Sequence, residues 1–143
     1  MQETVAKFRE KFSNQVIKSQ EKSTRRQYIE FLPPDIPEAA RFLFKDLNCR
    51  FATASGIDTP EGIEILYHFS DDHTGEVISL RTILTDKKDP QIHSIATIFP
   101  AAEWIEREIW ELLGVKFIGH PNLKHLLLID DWPEGKHPLR KKE

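Results

Sequence analysis

The sequence is poor in cysteine: Cys49 stands alone among 143 residues. A single thiol excludes a disulfide within the chain and fits an intracellular setting. It also excludes an iron–sulfur cluster held by four thiolates of this chain, and any paired-cysteine zinc or redox site. Long hydrophobic runs are missing too. No stretch approaches the ~20 apolar residues that cross a bilayer, and the longest aliphatic cluster, Leu126, Leu127, Leu128 and Ile129, suits a short buried strand. The opening MQETVAKFREKF lacks an apolar signal core. Work at a membrane would therefore require another subunit to hold the chain there. The nucleophile elbow Gly-x-Ser-x-Gly, the phosphate loop Gly-x-x-x-x-Gly-Lys-Ser/Thr and the dinucleotide fingerprint Gly-x-Gly-x-x-Gly are all absent.

What is present is ordinary in bulk. Hydrophobic residues make up 39% and charged residues 30%, as in a soluble globular protein, and the net charge of -3 gives no reason to expect nucleic-acid binding. The charge is uneven, however: Lys136, His137, Arg140, Lys141 and Lys142 form a basic end on a slightly acidic body, a local docking feature. Cys49, between Asn48 and Arg50, reads as a small residue at a helix–strand junction.

The layout predicts a single α+β domain over residues 1–143: an antiparallel sheet, made of a three-stranded meander plus edge strands, packed against two or three helices, with an extended C-terminal tail. Val5, Phe8, Phe12 and Val16 fall near helical spacing, so a helix is expected over about 3–18. SQEKSTRR reads as an exposed connector and RRQYIEFL as a strand before Pro33-Pro34. Asp35 and Pro37 predict a helix start, with Asp35 as cap. Ile36, Ala39, Ala40, Leu43, Phe44 and Leu47 share its apolar face. Strands are expected over 49–57, 62–70 and 76–85, where apolar residues alternate and short turn-rich connectors intervene. A short helical segment near 94–98 follows. Pro100 then starts a stronger helix that Gly114 ends.

The densest chemistry lies in EREIWELLGVKFIGHPNLKHLLLIDDWPEGKHPLRK, residues 106–141. His120, His125 and His137, with Asp130 and Asp131, are suitable metal donors, but their spacing matches no compact ligand motif. Acids and histidines are available for proton transfer, yet no pair stands out. On the helix, Ala101, Ile105, Ile109 and Leu112 form an apolar stripe at 100° per residue, with Trp104 at its edge. Arg107 falls on the other side, one turn from Glu103 and Glu111, as in solvated ion pairs. Glu108 falls inside the apolar sector, and Glu106 near Trp110 and Leu113. A carboxylate among apolar neighbours needs a partner. The expectation is an internal brace of Glu106, Glu108 and the Gly119-His120-Pro121 turn. The segment from Trp132 to Lys141 is then an extended arm, mobile in isolation, that grips another subunit.

The same stretch resembles the signature of the C-type subunit family of NADH:quinone oxidoreductase (respiratory complex I), which includes related subunits of membrane-bound, energy-converting nickel–iron hydrogenases. The resemblance is carried by Glu106-Arg107-Glu108, Leu113-Gly114-Val115, Phe117, Gly119-His120-Pro121, Leu123 and the Leu126-Leu127-Leu128 run. Asp130-Asp131-Trp132 and His137-Pro138-Leu139-Arg140-Lys141 complete it. It covers mainly the last third of the chain. The family's usual aromatic-Asp-Met-Phe-Gly helix end appears as Trp110-Glu111-Leu112-Leu113-Gly114. Asn122 stands where Asp is common, and Lys124-His125 where two arginines are common. Pro133-Glu134-Gly135-Lys136 lengthens the usual link, and the sequence stops soon after Lys141, which leans toward a hydrogenase-type or archaeal-type complex.

The resemblance implies an α+β subunit with no catalytic, cofactor or metal site of its own. It would dock on the large quinone-site or nickel–iron subunit, near the iron–sulfur subunits, peripherally on the cytoplasmic side of the membrane. Iron–sulfur clusters, quinone or the nickel–iron centre would belong to those partners. Partner contact is expected from Asp130, Asp131, Trp132, His137, Pro138, Leu139, Arg140 and Lys141. Readings from other classes are a free-standing binding module that uses its basic tail, and a small metal-dependent enzyme.

Overall fold

The computed structural model describes residues 2–123 and 137–140. In chain order the elements are α1 (Gln2–Lys11), β1 (Lys18–Ser23), β2 (Arg26–Glu30), a 3-10 turn (Pro33–Asp35) and α2 (Ile36–Lys45). Then come β3 (Arg50–Thr59), β4 (Gly62–Asp71), β5 (Glu76–Leu84), β6 (Gln91–His93), α3 (Ala102–Leu113) and β7 (Lys116–Ile118). A five-stranded sheet has the order β1-β2-β5-β4-β3, and β6 pairs with β7 in a second, two-stranded sheet. The class is α+β, as the sequence predicts. The meander β3-β4-β5 is also present, its neighbouring strands joined by short turns.

The large sheet is mixed, and the expectation of a purely antiparallel one is corrected. β2 runs parallel to β5, from Arg26 opposite Val77 to Glu30 opposite Arg81. Parallel neighbours need a long crossover, and α2 with two strands supplies it here. β1 pairs antiparallel with β2, although KSQEKS reads as a connector. Its side chains are almost all exposed, so no alternation marks it.

Two compact units divide the chain: Met1–Thr53 with Leu66–Thr82, and Ala54–Ile65 with Ile83–Glu143. The first is built on aromatic packing. Phe8 and Phe12 lie 5.1 Å apart between centroids, and both meet Phe31 edge-on at 5.7 Å. Phe42 joins them from α2, while Phe44, expected on the apolar face, is exposed. Helix α1 stops at Lys11 rather than near residue 18, and a turn through Phe12 to Val16 follows. Ser13 and Asn14 compete for backbone hydrogen bonds and favour that stop. Asp35 makes no side-chain cap; Pro37 does sit in the first turn of α2. That helix closes through Asn48, left-handed at φ 57°, with Cys49 N–H donating to the Leu43 carbonyl at 2.8 Å. Cys49 is buried at the junction with β3, and burial pushes its thiol up to about 11, far from a reactive thiolate.

The second unit packs Ile63, Ile65, Ile92, Ile95, Phe99, Val115 and Phe117 as its core. Residues 94–98 form a turn rather than a helix, closed by Ile98 and Phe99 N–H groups on the Ile95 carbonyl. α3 comes close to β3 at Gly56, where a methyl group would stand 2.7 Å from Leu113 Cδ1. The strand expected at residues 126–129 lies outside the described residues.

Gly114 ends α3 at φ 80°, the left-handed conformation that its place after a periodic helix predicts. A methyl there would also stand 2.8 Å from the His137 ring. Gly114→Ala is therefore expected to lower stability by at least about 1 kcal/mol, measured by urea unfolding against the wild type.

Candidate functional site

The C-terminal end of α3 organises the second unit's polar chemistry. A helix leaves its last carbonyls without intrahelical donors, and here each finds one. Gly114 N–H donates to the Trp110 carbonyl at 2.8 Å. His137 Nδ1 donates to the Glu111 carbonyl at 3.0 Å, and Leu139 N–H to the Leu112 carbonyl at 2.9 Å. Arg140 Nη1 donates to the Leu113 carbonyl at 3.0 Å, and its Nη2 to the Lys87 carbonyl. The Arg140 cation also sits at the negative end of the helix dipole. Its Nε lies 3.5 Å from Oδ2 of Asp58, a side chain with no solvent exposure. Lys87 Nζ reaches Oδ1 of the same carboxylate at 2.5 Å and the Thr59 carbonyl at 3.1 Å. Two cations thus compensate one buried acid, as burial of a charge requires.

His137, Pro138, Leu139 and Arg140 were expected in an arm free of the domain; the hydrogen bonds of His137, Leu139 and Arg140 correct that for this segment. Composition made it look extended, but the open helix end supplies acceptors that composition does not display. Asp130, Asp131, Trp132 and Lys141 lie outside the described residues.

A second constellation lies nearer the start of α3. Glu106 is 1% exposed. Its Oε1 accepts from Ser94 Oγ at 2.5 Å and its Oε2 from Ile95 N–H at 2.9 Å. Burial pushes its carboxyl up to about 7, against the opposing effect of those two hydrogen bonds. His120 Nε2 donates to the Glu103 carbonyl at 2.9 Å, and its Nδ1 accepts from Asn122 N–H at 2.9 Å. Both ring nitrogens are therefore used, with the proton on Nε2. The ring passes Glu106 Oε1 at 3.9 Å. Gly119, at φ 83°, makes the turn that brings His120 in. Pro121 follows at the surface.

The brace therefore differs in its members. Glu106 fastens the 94–96 turn, and His120 fastens the following loop to α3. Glu108 is exposed rather than buried. The inward face of α3 runs through Ala102, Glu106, Ile109 and Leu113; it shares Ile109 with the apolar stripe that the sequence favours and is shifted by one position at the other three. Arg107 and Glu111 are buried as well, not solvated. The Arg107 guanidinium lies 5.2 Å from the Trp104 ring centroid, a cation–π contact. Sequence reading missed Asp58, Lys87 and Ser94 altogether, for they stand in unremarkable contexts far from the signature. Among the described residues no group of three or more His, Cys, Asp or Glu is placed to hold a metal ion.

The hydrogen bonds from Gly114, His137, Leu139 and Arg140 close the last four carbonyls of α3 within the chain. Residues 29–143 match the family described as the respiratory-chain NADH dehydrogenase 30 Kd subunit, and the chain belongs to that family. The C-type subunit of NADH-quinone oxidoreductase from Chelativorans sp. is 38% identical over 115 residues, covering 76% of this chain and 56% of that protein. Its counterpart from Rhodobacter capsulatus is 36% identical with the same coverage. This chain thus spans little more than half the length of these relatives. Among solved structures, a chain of the membrane-bound sulfane sulfur reductase, an archaeal respiratory membrane complex, matches at TM-score 0.84 and 25% identity, over 97% of this chain and 82% of that one. A trypsin-resistant fragment of Nqo5 shares the fold at TM-score 0.68 and 20% identity, over 83% of this chain and 96% of the fragment.

The buried charges of this site make stability depend on pH and on each cation. The unfolded chain releases the Glu106 proton near the ordinary 4.5, whereas the folded chain keeps it to about 7. The raised value makes Glu106's contribution most favourable below 4.5, and it declines as pH rises to 7. Glu106→Gln removes that decline: the stability difference, variant minus wild type, should grow by up to about 3 kcal/mol between pH 4.5 and 7, as read by chemical denaturation across that range. Arg140→Met leaves the Leu113 carbonyl unpaired and Asp58 with one cation. A loss of about 2 kcal/mol in unfolding free energy is expected.

Proposed function

We propose that the chain is a peripheral subunit of a complex I-like respiratory membrane complex, docking on and stabilising the large subunit beside its quinone or nickel–iron site. It carries no redox centre or catalytic group in this reading. Iron–sulfur clusters and the reacting site belong to the neighbouring subunits. The observation that carries the reading is the 97% coverage of this chain by a component of an archaeal respiratory membrane complex. Membership of the 30 Kd subunit family supports it independently. The likeness extends to both an archaeal complex and bacterial quinone-reductase subunits, so the electron donor is left to the partners.

No helix among the described residues is long and apolar enough to cross a membrane. Attachment at the cytoplasmic face would come through the large subunit. Asp130, Asp131, Trp132 and Lys141 remain proposed partner contacts. Arg140 and His137, being engaged with α3, would act on a partner only through the surface that they organise.

Purification of the tagged full chain from detergent-solubilised native membranes checks this. The large subunit and iron–sulfur subunits should co-elute in stoichiometric amount. Recovery of an intact complex that lacks the chain would refute the subunit role.

A further inference from the structure

Only part of the stripe that the sequence marks as apolar turns inward: Ile109 is buried, whereas Ile105 and Leu112, with Trp104 at the edge, are left facing out. Along α3, Trp104, Glu108 and Leu112 follow each other at one-turn intervals, with Ile105 beside them. Trp104 is 59% exposed, Ile105 and Leu112 are half-buried, and Glu108 is exposed. Leu139, 56% exposed, extends the strip at its C-terminal end, fixed there by its hydrogen bond to Leu112. Between this helix face and Ala54–Gly56 of β3 lies an open groove of ≈ 170 Å³, lined by Ile105, Glu108, Leu112 and Leu139 among others.

We infer that this strip of α3, continued by Leu139, is the docking surface for the partner subunit, and that the partner segment seated on it is apolar with one lysine or arginine at its middle. The inference rests on the subunit reading above. Three features favour a protein occupant of that chemistry. First, the strip holds large apolar groups that a solvated helix face does not need, one of them a tryptophan steadied by Arg107. Rigid aromatic anchors of this kind dominate interface energetics. Second, Leu139 is presented by a segment clamped at three carbonyls, so this end of the surface is preorganised rather than ordered on contact.

The third feature is charge. Glu108 sits in the centre of the strip, and its neighbours one turn away are Trp104, Ile105, Glu111 and Leu112, none of them basic. Among the described residues it has no hydrogen bond or ion pair. In water this costs nothing. Once the strip is covered, the carboxylate loses its hydration and needs a cation from the covering segment. An entirely apolar cover would be rejected, which gives the surface its selectivity.

The test uses the full chain in its complex. Cys49 is buried, so a thiol introduced by Glu108→Cys is the reactive thiol of this chain, and its maleimide labelling is read on this chain's own band after denaturing separation from the partner subunits. Labelling should be rapid in the dilute isolated chain and slowed about tenfold or more in the purified complex. Glu108→Lys should retain the melting midpoint of the isolated chain while its incorporation into the complex falls about tenfold, and an acidic substitution of the facing partner base should restore it. Equal labelling in the chain and the assembled complex overturns the inference and leaves the subunit reading standing. So does protection already present in the dilute chain, which means that the chain covers its own strip. Protection that appears only as the isolated chain is concentrated assigns the surface to a second copy instead. If the wild-type chain is missing from an intact complex, both readings fall.

Discussion

A helix that ends against a packed interior cannot leave its final carbonyls to water. That constraint governs the second unit. Three consecutive acceptors, on Glu111, Leu112 and Leu113, draw in His137, Leu139 and Arg140 from a segment more than twenty positions later. Arg140 in turn neutralises Asp58, and Asp58 holds Lys87 beside it. The helix end, the loop after β5 and the distant tail residues are therefore settled by one set of polar obligations. Gly114 is the geometric condition for all of it, since its left-handed turn leaves room for the His137 ring.

The parts of the fold that were legible from sequence are those whose burial is periodic. β4 and β5 show it through Ile63, Ile65, Tyr67, Ile78 and Leu80, all buried. α2 shows it through Ile36, Ala39, Ala40 and Leu43. β1 escaped because an edge strand with nearly every side chain in water has no period to read. The parallel pairing of β2 with β5 was invisible for another reason: register across a long connection is decided by tertiary packing, not by the strand's own residues.

The site was half legible. A carboxylate on α3 was bound to need internal donors, and Glu106 has them. Choosing between Glu106 and Glu108 required knowing which of two overlapping apolar stripes turned inward. The stripe that the sequence favours, Ala101, Ile105, Ile109 and Leu112, shares Ile109 with the one through Ala102, Glu106, Ile109 and Leu113, and it is the latter that is buried. Hydrophobicity alone assigns a stripe to an interior, and cannot say whether that interior is the chain's own or is completed elsewhere. Asp58 and Lys87 had no local mark at all, because ion pairs between distant segments leave no spacing to detect.

The sheet's first edge has a bearing on solubility. A strand with one side unpaired is a template on which other chains can add. β1 occupies that position with Lys18, Glu21 and Lys22 among its six residues, and its pairing with β2 loses register between Glu21 and Ser23. A foreign strand approaching there meets charge of both signs and an irregular ladder. The polarity that hid this strand from view also makes the edge a poor seed for aggregation.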